Sequence, residues 1–182
     1  MCTICSLTVD FNVEHPESLS VAVATRAAID GGSLPELPVP DGATNMWWRH
    51  DAITGLTAIQ TRLEQVLSPA WLLALPTFYV LMVESRTWGY FRPTSRGFDT
   101  RADPPPPCVT TDGGRQEDAA LVLSQTATRQ LLPGKLSFDH AKSQGLVAFS
   151  GPSFALRSIV KTFELAYPIS GFSNFACTEA AL

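Results

Sequence analysis

Trp47-Trp48-Arg49-His50-Asp51 places an imidazole beside a carboxylate. Histidine titrates near neutral pH and a carboxylate can orient it, so His50 and Asp51 are candidates for proton transfer. Adjacent residues seldom hydrogen-bond to each other productively, however, and Asp51 suits the N-cap of a following helix, which is the stronger reading. Asp139-His140 repeats the adjacency, and a solvated helix face accounts for it. Cys2-x-x-Cys5 has the spacing of a redox dithiol or half a zinc site. A redox pair belongs at a helix N-terminus, whereas this one lies in strand-like sequence; His15, Cys108 and Cys177 stand at no recognised ligand spacing. Ordinary thiols, with no metal and no cofactor, are the expectation. The chain contains no G-x-S-x-G elbow, no phosphate-cradling loop and no dinucleotide fingerprint. Arg86, Arg92, Arg96 and Arg101 recur along strand ends, where one could pair with a ligand carboxylate.

The composition narrows the function classes. The chain has 182 residues, 13 Lys+Arg against 17 Asp+Glu, a net charge of −4, 45% hydrophobic residues and 16% charged ones. Soluble domains carry roughly 25% charged residues, so either the surface is unusually neutral or apolar residues have a further task. A pI near 5.3 argues against a nucleic-acid binder. Ten Phe and four Trp argue against a disordered chain. The first ten residues hold no Lys or Arg, and no apolar run approaches the ~20 residues of a membrane span. The expected setting is the cytoplasm, with reduced thiols.

These residues need elements to position them. Residues 2–11 alternate as a short strand, and Pro16 suits the first turn of a helix over 17–30. Leu19, Val23 and Ala27 together with Val21, Ala24 and Ala28 give that helix an apolar, small-residue face, and Gly31-Gly32 ends it. Residues 33–46, with three prolines and a glycine, form a linker that separates an N-terminal extension (1–45) from the main domain (46–182). Ile53, Leu56, Ile59, Leu63, Val66 and Leu67 predict an amphipathic helix from about 51 to 67, with Trp71–Leu75 extending it. Residues 77–83 (TFYVLMV) are apolar on both alternating faces and form a buried strand. Strands follow at 87–91 and, more weakly, 98–102; the run Pro104–Pro107 reads as a surface connection. Beyond it come a strand at 119–123, helices capped by Ser124 and Ser137, a strand at 146–149 and a helix opened by Gly151-Pro152 with its stripe Phe154, Leu156, Ile159, Val160 and Phe163.

The stretch Leu121–Glu164 (LVLSQTATRQLLPGKLSFDHAKSQGLVAFSGPSFALRSIVKTFE) resembles the C-terminal half of the sterol carrier protein type two family. It also resembles the C-terminal domain of bacterial alkyl sulfatases, which shares that fold. With the preceding helix and strands, the likeness covers about residues 50–175; residues 1–45 and the Pro-rich insertion at 103–116 depart from it. The resemblance implies an α+β fold: a five-stranded, mainly antiparallel sheet covered by helices, sterol-carrier-like, with the N-terminal extension added. It further implies an apolar cavity between sheet and helices that holds an acyl chain, a sterol or a similar molecule.

On this basis the candidate ligand-binding residues are Trp47, Trp48, Phe78, Val80, Met82, Trp88, Tyr90 and Phe149. The alternative is that such side chains fill an ordinary core. Three functions follow: binding of a hydrophobic small molecule (lipid-, terpenoid- or polyketide-like); a cofactor-free cyclase or isomerase of a biosynthetic pathway, with His50 and Asp51 handling protons in the same cavity; or an interaction domain that forms a homodimer.

Overall fold

The computed structural model describes residues 8–9, 14–37, 45–99, 104–110 and 116–168. In chain order the elements are β1 (Thr8–Val9), α1 (Ser18–Asp30), α2 (Asn45–Val66), α3 (Pro69–Ala74), β2 (Phe78–Met82), β3 (Thr87–Phe91), β4 (Pro93–Thr94), β5 (Gly97–Phe98), β6 (Ala120–Leu123), α4 (Gln125–Leu131), α5 (Phe138–Ser143), β7 (Val147–Ser150) and α6 (Ser153–Ala166). The class is α+β, as expected.

Because β2 and β6 are apolar on both faces, they occupy the middle of the main sheet, whose order is β1-β3-β2-β6-β7. β2 pairs in parallel with β6, while the pairings β1–β3, β2–β3 and β6–β7 are antiparallel. The strand count departs from the expectation in one respect. Four strands of four or five residues lie between Phe78 and Ser150, and the two-residue β1 joins at the edge. Of the strand expected at 98–102, Phe98 lies outside this sheet, in β5, and residues 100–102 lie outside the described residues. Pro93 and Gly97 turn the chain into a separate two-stranded ribbon, β4–β5, anchored to α2 by a bond of 2.7 Å from the Phe98 amide to Glu64 Oε1.

On the first face, Phe78, Val80, Met82, Leu121 and Leu123 meet Leu56, Ile59 and Leu63 of α2 and Ile159 and Phe163 of α6, all buried. Phe78 stacks on Phe91 with ring centroids 4.9 Å apart, and Phe98 and Phe163 approach it edge-on at 6.2 and 6.3 Å. Gly89 lets α2 come this close: a Cβ there would lie 2.8 Å from Leu56 Cδ2. On the second face, Tyr79, Leu81, Trp88, Ala120 and Val122 pack against Val21 of α1. The Pro-rich segment also lies over this face. Pro104 and Pro107 are buried, and the Tyr79 hydroxyl donates to Pro105 O at 2.9 Å; the expected surface connection is thus partly a cover.

Two helix boundaries also differ. α2 begins six residues before Asp51, which removes Asp51 from the N-cap position. Trp71 belongs to a separate helix, α3, capped by Ser68, whose Oγ accepts from the Trp71 amide at 3.2 Å. The caps at Ser124 and Ser137 stand as expected: their hydroxyl oxygens accept from Ala127 N at 3.3 Å and His140 N at 3.2 Å.

Gly151 joins β7 to α6 at φ +113°, and a Cβ there would lie 2.7 Å from both Ala119 Cα and Asp118 O. The neighbouring atoms are backbone and cannot step aside. Gly151→Ala is expected to destabilise the fold by about 2–4 kcal/mol, read as a lower urea midpoint; an unchanged midpoint would contradict the close approach.

Candidate functional site

α1 presents Val21, Thr25 and Ala28 to the sheet. Thr25 can be buried because its hydroxyl donates to Val21 O at 2.7 Å. This rotation leaves Leu19 and Val23 exposed and turns Ala22, Arg26 and Ile29 toward a cleft. The opposite wall is Trp48 of α2 with Val83, Glu84 and Arg86 of the β2–β3 turn, and Leu37 and Thr126 complete a space of about 820 Å³.

The start of α2 is held in place by α4. Arg129 Nε donates to Asp51 Oδ1 at 3.0 Å, its Nη2 donates to the same oxygen, and its guanidinium lies 5.6 Å from the Trp47 ring centroid. Gln125 Nε2 donates to Asp51 Oδ2 at 2.8 Å and to Trp48 O at 3.2 Å. Trp47 and Trp48 meet edge to face at 5.0 Å, both half-buried. Trp48 lines the cleft, and Trp47 lies against the Arg129 guanidinium.

The charges around the cleft are engaged within the protein. Arg26 pairs with Glu36 at 3.1 Å and with Asp30, and Arg86 pairs with Glu14 at 2.9 Å. Glu84 accepts from Ser124 Oγ at 2.8 Å and from the Gln125 amide at 2.7 Å, so its carboxylate caps α4. What faces a bound molecule is then mainly the apolar surface of Ala22, Ile29, Leu37, Trp48 and Val83.

The candidate ligand residues are divided by the sheet. Phe78, Val80 and Met82 lie on its first face, with Phe149 packed against the same cluster; Trp88 and Tyr90 lie on the second. Phe78 and Val80 are at most 1% exposed, within the aromatic packing described above. Met82 borders a smaller recess of about 220 Å³ with Asp51, Gln125 and Arg129. His50 lines a third cleft, of about 630 Å³, with Ile53, Thr57 and Arg62. No hydrogen bond joins His50 to Asp51 among the described residues, and Asp51 is turned to Arg129 and Gln125 instead.

Ala22, Ile29 and Leu37 were missed by the sequence reading; their only signal is small or apolar side chains beside a helix end. Cys2, Cys5 and Cys177 lie outside the described residues. Among the described residues no group of three or more His, Cys, Asp or Glu is placed to hold a metal ion. No described helix is long and apolar enough to cross a membrane.

The buried His15 fixes the entry to α1. Its Nδ1 accepts from the Glu17 amide at 3.1 Å, so in the neutral ring Nε2 carries the proton and donates to Ser150 Oγ at 2.6 Å. Burial lowers its pKa from the ordinary 6.5, opposed by the Glu117 and Glu17 carboxylates.

The class of protein is therefore an α+β domain with helices on both sheet faces and a cleft of small-molecule size where α1, α2 and the β2–β3 turn meet. The solution structure of the sterol carrier protein domain 2 of Helicoverpa armigera is similar to this chain, at 17% identity, covering 64% of this chain and 88% of that one, with a TM-score of 0.38. No protein-family model matches the sequence, and no curated protein matches it.

Two expected outcomes test this site. The folded-state pKa of His15 lies below its unfolded value, so its neutral contribution is complete above pH 6.5. It is lost as pH falls from there toward the folded pKa, because only the unfolded chain gains the proton. Urea midpoints measured from pH 7.5 down to pH 5 should fall less in His15→Gln than in the parent; equal slopes would contradict this. Separately, a double-mutant cycle on Asp51→Ala and Arg129→Ala should give a coupling of about 1–2 kcal/mol, discounted for the partial exposure of the guanidinium. Additive effects would mean the pair does not hold α2.

Proposed function

We propose that this chain binds a hydrophobic small molecule, lipid-, terpenoid- or polyketide-like, in the cleft formed by α1, Trp48 and Val83. The observation that carries the proposal is the cleft of about 820 Å³, whose lining combines Ala22, Ile29, Leu37, Trp48 and Val83 with charged residues already engaged in pairs and caps. Binding sites for small molecules commonly span about 300–1,000 Å³ and combine apolar walls with few polar groups. With these charges already engaged, the apolar side chains of the lining favour a ligand with an apolar body. Trp48 supplies a flat apolar surface whose backbone carbonyl is fixed by Gln125.

This location differs from the cavity expected between the sheet and its covering helices. There the aromatic side chains of β2, β3, β5 and α6 pack against one another and the recess beside Met82 measures about 220 Å³, whereas the larger cleft lies beside the N-terminal helix. His50 and Asp51 line two other clefts and neither lines that of Trp48, which favours binding over proton transfer by these residues there.

The test uses Nile red, a neutral apolar fluorophore, with displacement by a fatty acid or a sterol and native mass spectrometry of the purified chain. Nile red should bind saturably, and Ala22→Trp, which fills the cleft from an exposed helix position, should weaken it about tenfold or more. Trp48→Ala should weaken it as well. Binding unaffected by both substitutions would overturn the proposed location, and no binding of any of these probes would overturn the function.

A further inference from the structure

We propose that the outer face of α6, together with α3, docks on an anionic lipid surface. α6 buries Ala155, Ile159, Thr162, Phe163 and Ala166. Its opposite stripe runs Phe154, Arg157, Lys161, Leu165, spaced by three and four residues so that all four share one side. Phe154 is 62% exposed and Leu165 49%. α3 lies beside this stripe: Lys161 Nζ sits 5.3 Å from the Trp71 ring centroid, and Leu73 of the same short helix is 57% exposed. Large apolar side chains, a tryptophan and lysine or arginine on one helix face are the combination that settles at the headgroup boundary of a bilayer.

Charge decides the partner. The chain carries a net charge of −4, yet the charged residues on this stripe are both basic, and neither Arg157 nor Lys161 forms an ion pair among the described residues. The acidic residue of α6, Glu164, is drawn away to Lys142 at 2.6 Å. None of the three clefts described above is lined by this face, so a helical surface rather than a groove is on offer. A flat surface of acidic headgroups is complementary to it, and it needs no keyed pocket.

The experiment is co-sedimentation of the full chain with vesicles of phosphatidylcholine alone and of phosphatidylcholine mixed with phosphatidylserine. Binding is expected to the mixed vesicles, to be weaker with phosphatidylcholine alone, and to decline with added salt. Arg157→Glu with Lys161→Glu should reduce it about tenfold or more, and the milder pair Arg157→Gln with Lys161→Gln should act in the same direction. Phe154→Ser with Leu165→Ser should reduce it without altering the salt dependence. All of these positions except the packing around Lys161 are open to solvent, so the fold should survive, as circular dichroism would verify. Ala22→Trp should leave vesicle binding unchanged, which separates this inference from the small-molecule site. Failure to sediment with the mixed vesicles, or sedimentation indifferent to these substitutions, would overturn the proposal. So would a concentration-dependent dimer or a protein complex that shields this face from vesicles.

Discussion

Every side chain of β2 and β6 is buried, and that double burial is the constraint from which the rest of the architecture follows. A sheet with one apolar face needs helices on one side only. Here the parallel pair at the centre would expose Tyr79, Leu81, Ala120 and Val122 to water if only α2 and α6 covered it. The second cover is assembled from two unrelated pieces, α1 and the proline segment around Pro105. A proline-rich segment can serve in this role because it needs no ladder partners: it packs its rings and offers carbonyls, one of which accepts from Tyr79.

An improvised cover does not close completely. α1 reaches the sheet through Val21, Thr25 and Ala28, and its neighbouring side stops short of the β2–β3 turn. The gap is walled on the far side by Trp48, which is there only because α2 begins at Asn45. That early start depends in turn on a buried-side grip by α4, through Arg129 on Asp51 and Gln125 on Trp48 O. The cleft is thus a product of how the second face is covered.

The parts of this arrangement legible in the sequence are those with local causes. The two-faced apolar pattern of 78–82 placed β2, and Ser124 and Ser137 placed the starts of α4 and α5, because capping is settled within four residues. The start of α2 was not legible, since the residues that hold it, Gln125 and Arg129, lie far along the chain. The inward face of α1 was legible in part: Val21 and Ala28 of the expected apolar face are buried, whereas Leu19 and Val23 of the same face are exposed. Thr25, which reads as polar, is buried with them because its bond to Val21 O, made within the helix, removes that cost. Nor could periodicity divide the apolar residues of β2 between core and cavity, because a wall and a filled core demand the same side chains. Phe78 and Val80 proved to be core, and the cleft drew instead on small and apolar residues of α1 and on Leu37.

The low charge content acquires a physical explanation from the same arrangement. With 16% charged residues, few are available, and many are tied into local devices: Arg26 to Asp30 and Glu36, Arg129 to Asp51, Lys142 to Asp139 and Glu164, and Glu84 to the start of α4. Exposed ion pairs of this kind add little stability individually; their effect is to neutralise surface that would otherwise carry a field. What remains is a weakly charged exterior on which two basic residues that form no ion pair among the described residues, beside Trp71, Phe154 and Leu165, are a local exception. On a densely charged protein two such cations would be lost among neighbours and screened by them. On this one they set the sign of the potential at a face that also exposes its apolar side chains, and the sparing use of charge elsewhere is what gives that face its electrostatic identity.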